Sequence, residues 1–208
     1  MLPARIVFLG GSTVHGEGDP EHGGFVSHFK AWHETAKPAK HRVFNLGVGG
    51  DTVADMLSRG PSECQARRPN LVVLYPGLND SRRRGSVSEA PATSLDQFTT
   101  TLHTLIKALG GISPTLVMSS VPPDESRTNP FRGGYFFSES DAYEITRAIA
   151  SICSSPETYY FPLFERWCNQ QDRKDLLLDG LHCNAQGHRE LFKELRLFLT
   201  EKFEVNAT

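Results

Sequence analysis

Five short apolar runs constrain this chain more than any other feature: Arg5 to Leu9, Val43 to Leu46, Leu71 to Tyr75, Thr115 to Ser119 and Tyr159 to Phe164. Each is nearly continuous in apolar character instead of alternating with polar residues, as expected of strands covered on both faces. The segments between them carry helical spacing. Phe25, Phe29 and Trp32 form one stripe, Leu95, Phe98, Leu102, Leu105, Ile106 and Leu109 a second, and Ala142, Ile145, Ala148, Ile149 and Ile152 a third. A last stripe, Leu191, Leu195, Phe198 and Leu199, falls within Ala185 to Phe203 and predicts a closing helix. This alternation implies an α/β fold with a parallel sheet of about five strands and helices on both sides. In such sheets ligands bind beyond the carboxyl ends of the strands, so function is expected in the loops that follow the runs. A length of 208 residues suits one core, and residues 1–208 are read as a single domain.

Charge removes two classes of partner. With 22 basic and 24 acidic residues and a formal charge of −2, the chain has no field to gather nucleic acid or an anionic membrane surface. No window holds about 18 consecutive apolar residues, so no transmembrane segment is expected. The first residues run directly into an apolar stretch too short for a secretory leader, and a cytoplasmic location is expected. The four cysteines, Cys64, Cys153, Cys168 and Cys183, lack CxxC or zinc-finger spacing and read as free thiols, although an even number leaves one disulfide open. Ser81 to Gly85 reads as a solvated basic turn. Pro122 to Gly134 reads as a long connection of the kind that is commonly functional or mobile.

Four loops past the strands carry chemistry. Gly10-Gly11-Ser12-Thr13 follows the first run, Gly47-Val48-Gly49-Gly50-Asp51-Thr52 the second, Gly77-Leu78-Asn79-Asp80 the third, and Asp179-Gly180-Leu181-His182 lies beyond the fifth. Acyl transfer through a serine needs a nucleophile, a base, a group that orients the base, and donors for the developing oxyanion. Ser12 supplies a hydroxyl after two glycines. His182 supplies an imidazole, and Asp179, three residues earlier, is within reach of its Nδ1 while Nε2 faces a serine. The backbone N–H groups of Ser12 and Gly50 and the side-chain amide of Asn79 make three oxyanion donors. Taken singly, Gly-Gly-Ser is an ordinary loop, Gly50 a turn glycine and Asn79-Asp80 a turn or cap. Their joint occurrence, each just past a strand, points to a serine esterase.

These blocks resemble the SGNH hydrolases, also called GDSL lipases or esterases. Phe8-Leu9-Gly10-Gly11-Ser12, Asn45 to Thr52, Gly77-Leu78-Asn79-Asp80 (GxND) and Asp179-Gly180-Leu181-His182 (DxxH) match the four blocks of that family. The resemblance implies a flavodoxin-like three-layer α/β/α sandwich. It also implies Ser12 as nucleophile, His182 as base with Asp179 as its partner, and Gly50 and Asn79 as oxyanion donors. One residue departs from the pattern: Gly11 stands where the family carries the aspartate of Gly-Asp-Ser.

The expected substrate is a small-molecule carboxylic ester, cleaved through an acyl-enzyme with no metal or cofactor. The aromatic residues Phe131, Tyr135 and Phe136 either line a substrate pocket or pin their loop to the core. His15 and His22 read as surface histidines, and Cys183 as a small buried side chain. A competing reading is a catalytically impaired flavodoxin-like protein that binds a phosphate, a flavin or another small ligand on the Gly10 to Gly18 loop. It lacks GxxxxGK[ST] and GxGxxG and leaves Asp179 and His182 without a task.

Overall fold

The computed structural model describes residues 2–153 and 158–204. Strands β1 (Arg5–Gly10), β2 (Arg42–Gly47), β3 (Leu71–Tyr75), β4 (Thr115–Met118) and β5 (Thr158–Phe161) form one parallel sheet in the order β2-β1-β3-β4-β5. The chain winds outward in both directions from β1, so a crevice opens between the carboxyl ends of β1 and β3. Every residue of β3 and β4 is buried, whereas the edge strands β2 and β5 are only partly covered.

Helices α1 (Gly24–Ala36) and α5 (Ala185–Glu204) cover one face, and α2 (Val53–Arg67), α3 (Leu95–Gly110) and α4 (Glu139–Ile152) the other. The period-two geometry of the strands sorts the core accordingly. Ile6, Phe8, Val73 and Met118 point toward Phe25, Phe29 and Leu195, while Val7, Leu9, Val72 and Val117 point toward Met56, Phe98 and Leu105.

Three expectations need correction. The run Tyr159 to Phe164 is only partly strand, because Pro162 ends it and Leu163–Cys168 turns into a short helix. Helix α2 is absent from the sequence reading, since Gly60 and Pro61 interrupt its apolar stripe. Gly60 sits where a Cβ would press into the Leu9 side chain, so the gap in the stripe marks close approach of α2 to β1. The Thr52 and Asp55 capping box is the signal that could have revealed this helix. The basic turn is also more than a solvated loop: Arg83–Arg84 pairs antiparallel with Tyr135–Phe136, Ser81 is buried, and Arg83 holds Asp141 at 2.7 Å.

Candidate active site

β1 ends at Gly10, and Ser12 opens a four-residue helical turn, Ser12–His15. Asn45, at the end of β2, fixes this turn by donating its side-chain amide to the Val14 carbonyl at 2.8 Å. Across the crevice, the Ser12 hydroxyl lies 3.0 Å from His182 Nε2, although 170 positions separate the two residues. His182 Nδ1 lies 2.9 Å from Asp179 Oδ2, and Asp179 Oδ1 accepts the backbone N–H groups of Leu181 and His182 at 3.1 and 2.9 Å. Burial alone would raise the Asp179 pKa, but the bonds from the His182 ring and backbone outweigh it and hold the carboxyl down at about 2. Asp179 is therefore an anion at neutral pH, fitted to orient an imidazole and to stabilise it when protonated.

The long connection after β4 holds this loop in place. Asp124, buried and locked to Arg127 at 2.9 Å and Lys174 at 3.0 Å, donates its backbone N–H to the Gly180 carbonyl at 2.8 Å. Arg127 also reaches the carbonyls of Lys174 at 2.8 Å and Leu177 at 3.2 Å. A bridge between Leu177 and Cys183 closes the loop into a hairpin. The Pro122 to Gly134 segment thus acts as a clamp, and residues from Val121 to Asp124 are buried.

Asn79 donates its side-chain N–H to the Asp51 carbonyl at 3.0 Å, and an amide nitrogen carries a second N–H for another acceptor. A Cβ on Gly11 would stand 3.0 Å from Asn79 Nδ2. Gly11 thus lets the Asn79 amide lie close against the serine turn. Gly50 occupies the exposed turn between β2 and α2 with φ of +87°, a conformation suited to glycine.

Arg59, which the sequence reading left out, and Asp80, which it read only as part of a turn or cap, tie these turns together. Arg59, on α2, holds the Asp51 carboxylate at 2.6 Å and donates to the Leu46 carbonyl at 2.8 Å, fastening the Asn79-bearing network to the end of β2. Asp80 is fully buried and accepts from the Val53 N–H at 3.0 Å and the Thr93 hydroxyl at 2.8 Å, joining the GxND turn to the start of α2. Burial lifts the Asp80 carboxyl to about 6 in spite of those bonds.

Between these groups lies a cavity of about 20 Å³, bordered by Ser12, Asn79, His182, Met56, Tyr75 and Leu181. It has room for about one water-sized group. Of the three candidate substrate aromatics, Phe131 lies beside His182 with ring centroids 6.1 Å apart. Tyr135 lies under the Arg82 guanidinium, and Phe136 pairs with Arg83 in the two-strand ribbon. None of the three borders the small cavity. Cys183 is fully buried, and its thiol is pushed up to about 12 by burial, so it offers no thiolate beside His182.

The family model described as GDSL-like Lipase/Acylhydrolase family matches residues 8–190. A comparison with curated proteins finds no significant match. Among solved structures, a lipase/acylhydrolase from Enterococcus faecalis is similar with 22% identity, 95% of this chain and 96% of that one covered, and a TM-score of 0.75. The acetyl xylan esterase AlAXEase shares 19% identity over 93% of this chain and 98% of its own, with a TM-score of 0.76. An acetylxylan esterase from Geobacillus stearothermophilus shares 18% identity over 94% and 93%, with a TM-score of 0.70. At these identities the structural likeness speaks to the fold.

Proposed function

The chain belongs to the GDSL-like lipase/acylhydrolase family and is a serine esterase; from that premise we propose that Ser12 is its nucleophile, His182 its base and Asp179 the residue that orients the base. The observation that carries this reading is the unbroken relay of 3.0 Å from Ser12 to His182 and 2.9 Å from His182 to Asp179. Ser12 attacks the ester carbonyl as His182 takes the hydroxyl proton, and the tetrahedral intermediate collapses as His182 returns that proton to the departing alcohol. Water then repeats the sequence on the acyl-enzyme. The oxyanion is received by the N–H groups of Ser12 and Gly50 and by the free N–H of Asn79, whose other N–H is committed to Asp51.

The substrate side of the reading is an ester with a short acyl group. A cavity of about 20 Å³ lined by Met56, Tyr75 and Leu181 favours an acetyl methyl over a long chain. The acetylxylan esterases of the same fold make acetylated sugars a natural first panel. Phe131 is placed to meet the alcohol portion beside His182, and Tyr135 and Phe136 extend the same rim. A cytoplasmic location belongs to this proposal and is supported by the four free thiols.

The test is hydrolysis of p-nitrophenyl acetate, butyrate and octanoate by the wild type and by Ser12→Ala. Activity should fall steeply with chain length, and Ser12→Ala should lose roughly 10⁶-fold in kcat with the fold intact. An active Ser12→Ala protein would refute the nucleophile, and an octanoate preference would refute the acyl pocket.

A further inference from the structure

The loop that follows the serine turn contains a second cluster that ester hydrolysis does not use. Asp19 is 1% exposed, and its two carboxylate oxygens face two histidines: Oδ1 lies 3.0 Å from His22 Nδ1, and Oδ2 lies 3.5 Å from His28 Nε2. The first contact is a hydrogen bond. The second is not: Asp19 Oδ2 and His28 Nε2 are both shielded from water, and neither has a hydrogen-bond partner. Leaving a carboxylate oxygen and an imidazole nitrogen buried face to face without a bond is costly, and a cation between them would remove the cost.

We propose that Asp19, His22 and His28 form a binding site for one divalent transition-metal ion of the zinc type. The ligand atoms of the three residues lie within 4.8 Å of one another. Tetrahedral zinc with bonds of roughly 2.0–2.2 Å sets neighbouring ligand atoms about 3.4 Å apart, and each histidine nitrogen lies near that distance from the Asp19 oxygen it faces, at 3.0 Å for Oδ1 and 3.5 Å for Oδ2. Two imidazoles and one carboxylate select zinc, cobalt or nickel over the hard cations magnesium and calcium, which take oxygen shells. His22, the exposed member, leaves space for water to complete the shell. Its ring stacks on that of His28 with centroids 5.4 Å apart.

The placement gives the ion a structural task. His28 belongs to α1, whereas Asp19 and His22 belong to the loop leading into it, so the ion would clip loop to helix. The same loop presses on the neighbour of the proposed base: Gly18, with φ of +95°, lies so close to the Cys183 carbonyl that a Cβ would collide with it. Buried His188 fastens the loop from below, with Nε2 2.8 Å from the Glu17 carbonyl and Nδ1 accepting the Phe25 N–H at 3.1 Å. Metal at the cluster would complete this anchoring without touching the reacting atoms.

The test uses the full chain stripped with chelator and titrated with Zn²⁺ by calorimetry and with Co²⁺ by visible absorption. One saturable equivalent is expected, with the absorption of tetrahedral Co²⁺ and a rise in Tm. Removing an outer partner of a metal site costs about 10–100-fold in affinity, so loss of a ligand in His28→Gln or Asp19→Asn should weaken binding at least about 100-fold. His22→Gln, at an exposed position, serves where the buried substitutions fail to fold, and His103→Gln is the control that should bind as the wild type does. Absence of saturable binding, or binding undiminished in both His22→Gln and His28→Gln, overturns the proposal.

Discussion

The two halves of the active-site crevice are built by different means. Ser12, Gly50 and Asn79 sit on short turns at the ends of the adjacent strands β1, β2 and β3, and each turn is fastened within a few residues of a strand by Asn45, Arg59 or Asp80. Asp179 and His182 sit on a hairpin outside the sheet, held by Asp124 and Arg127 from a segment about fifty residues away. The half with the proposed nucleophile and oxyanion donors inherits its geometry from the sheet. The half with the proposed base must have its geometry assembled by tertiary contacts. Damage to the first half should therefore appear as lost transition-state stabilisation in an intact fold, and damage to the second as a misplaced base.

The largest effect that separates the halves is expected from Asp179→Asn, which leaves His182 without its anionic partner and should lower kcat about 10⁴-fold, as loss of the corresponding carboxylate does in serine proteases. Steady-state kinetics that place the loss mainly in KM would break the comparison. Next, Asn79→Ala should lower kcat by roughly 10²–10³-fold with little change in KM, the signature of an interaction made only in the transition state. An unchanged kcat would remove Asn79 from the oxyanion site.

Arg127→Ala probes the clamp without touching the reacting groups. A small misplacement of a catalytic group costs up to about 100-fold, so a loss of roughly 10–100-fold in kcat is expected, together with increased hydrogen exchange at Leu178 to His182. Wild-type exchange in that hairpin would show that it holds itself. The smallest effect on rate belongs to Asp80→Asn, whose consequence is a change in pH dependence. Folded Asp80 holds its proton up to about pH 6, whereas an unfolded carboxyl releases it near 3.8, so ionisation of this residue costs stability as pH rises across that window. Two buried histidines act with the opposite sign. Burial holds His33 and His188 below the ordinary imidazole value of about 6.5, and the stability they contribute is lost as pH falls below it. Thermal melts across pH 4–7 should show the wild type losing ground to Asp80→Asn as pH rises from about 4 to 6. Parallel curves would exclude Asp80 as the cause.

Much of this was legible from the residues. The buried strands β1, β3 and β4 announced themselves as unbroken apolar runs because both of their faces are covered. The four candidate blocks could be singled out because each lies just past a strand, at the edge of a parallel sheet where ligands bind. What stayed hidden depended on contacts between distant segments. Arg59 looks like any helix-surface arginine until its reach to Asp51 and Leu46 is seen, and His188 looks like one more histidine in an amphipathic helix. The stretch from Pro122 to Gly134 is polar because its Asp124 and Arg127 bind other parts of the chain, a use that composition cannot distinguish from solvent exposure. The close approach at Gly11 emerged only when the Asn79 amide was found 3.0 Å from where a Cβ would stand.

The closeness of the cavity walls has a consequence for the order of events in turnover. With an acetyl group in the cavity of about 20 Å³ beside Ser12, as proposed above, little room is left on that side for an incoming molecule. The hydrolytic water must then enter by the route the alcohol has just vacated, and it competes there with whatever hydroxyl compound is dissolved nearby. An enzyme built this way should hand its acyl group to added alcohols in proportion to their concentration, so the ratio of transesterified product to free acid becomes a direct gauge of who occupies the exit.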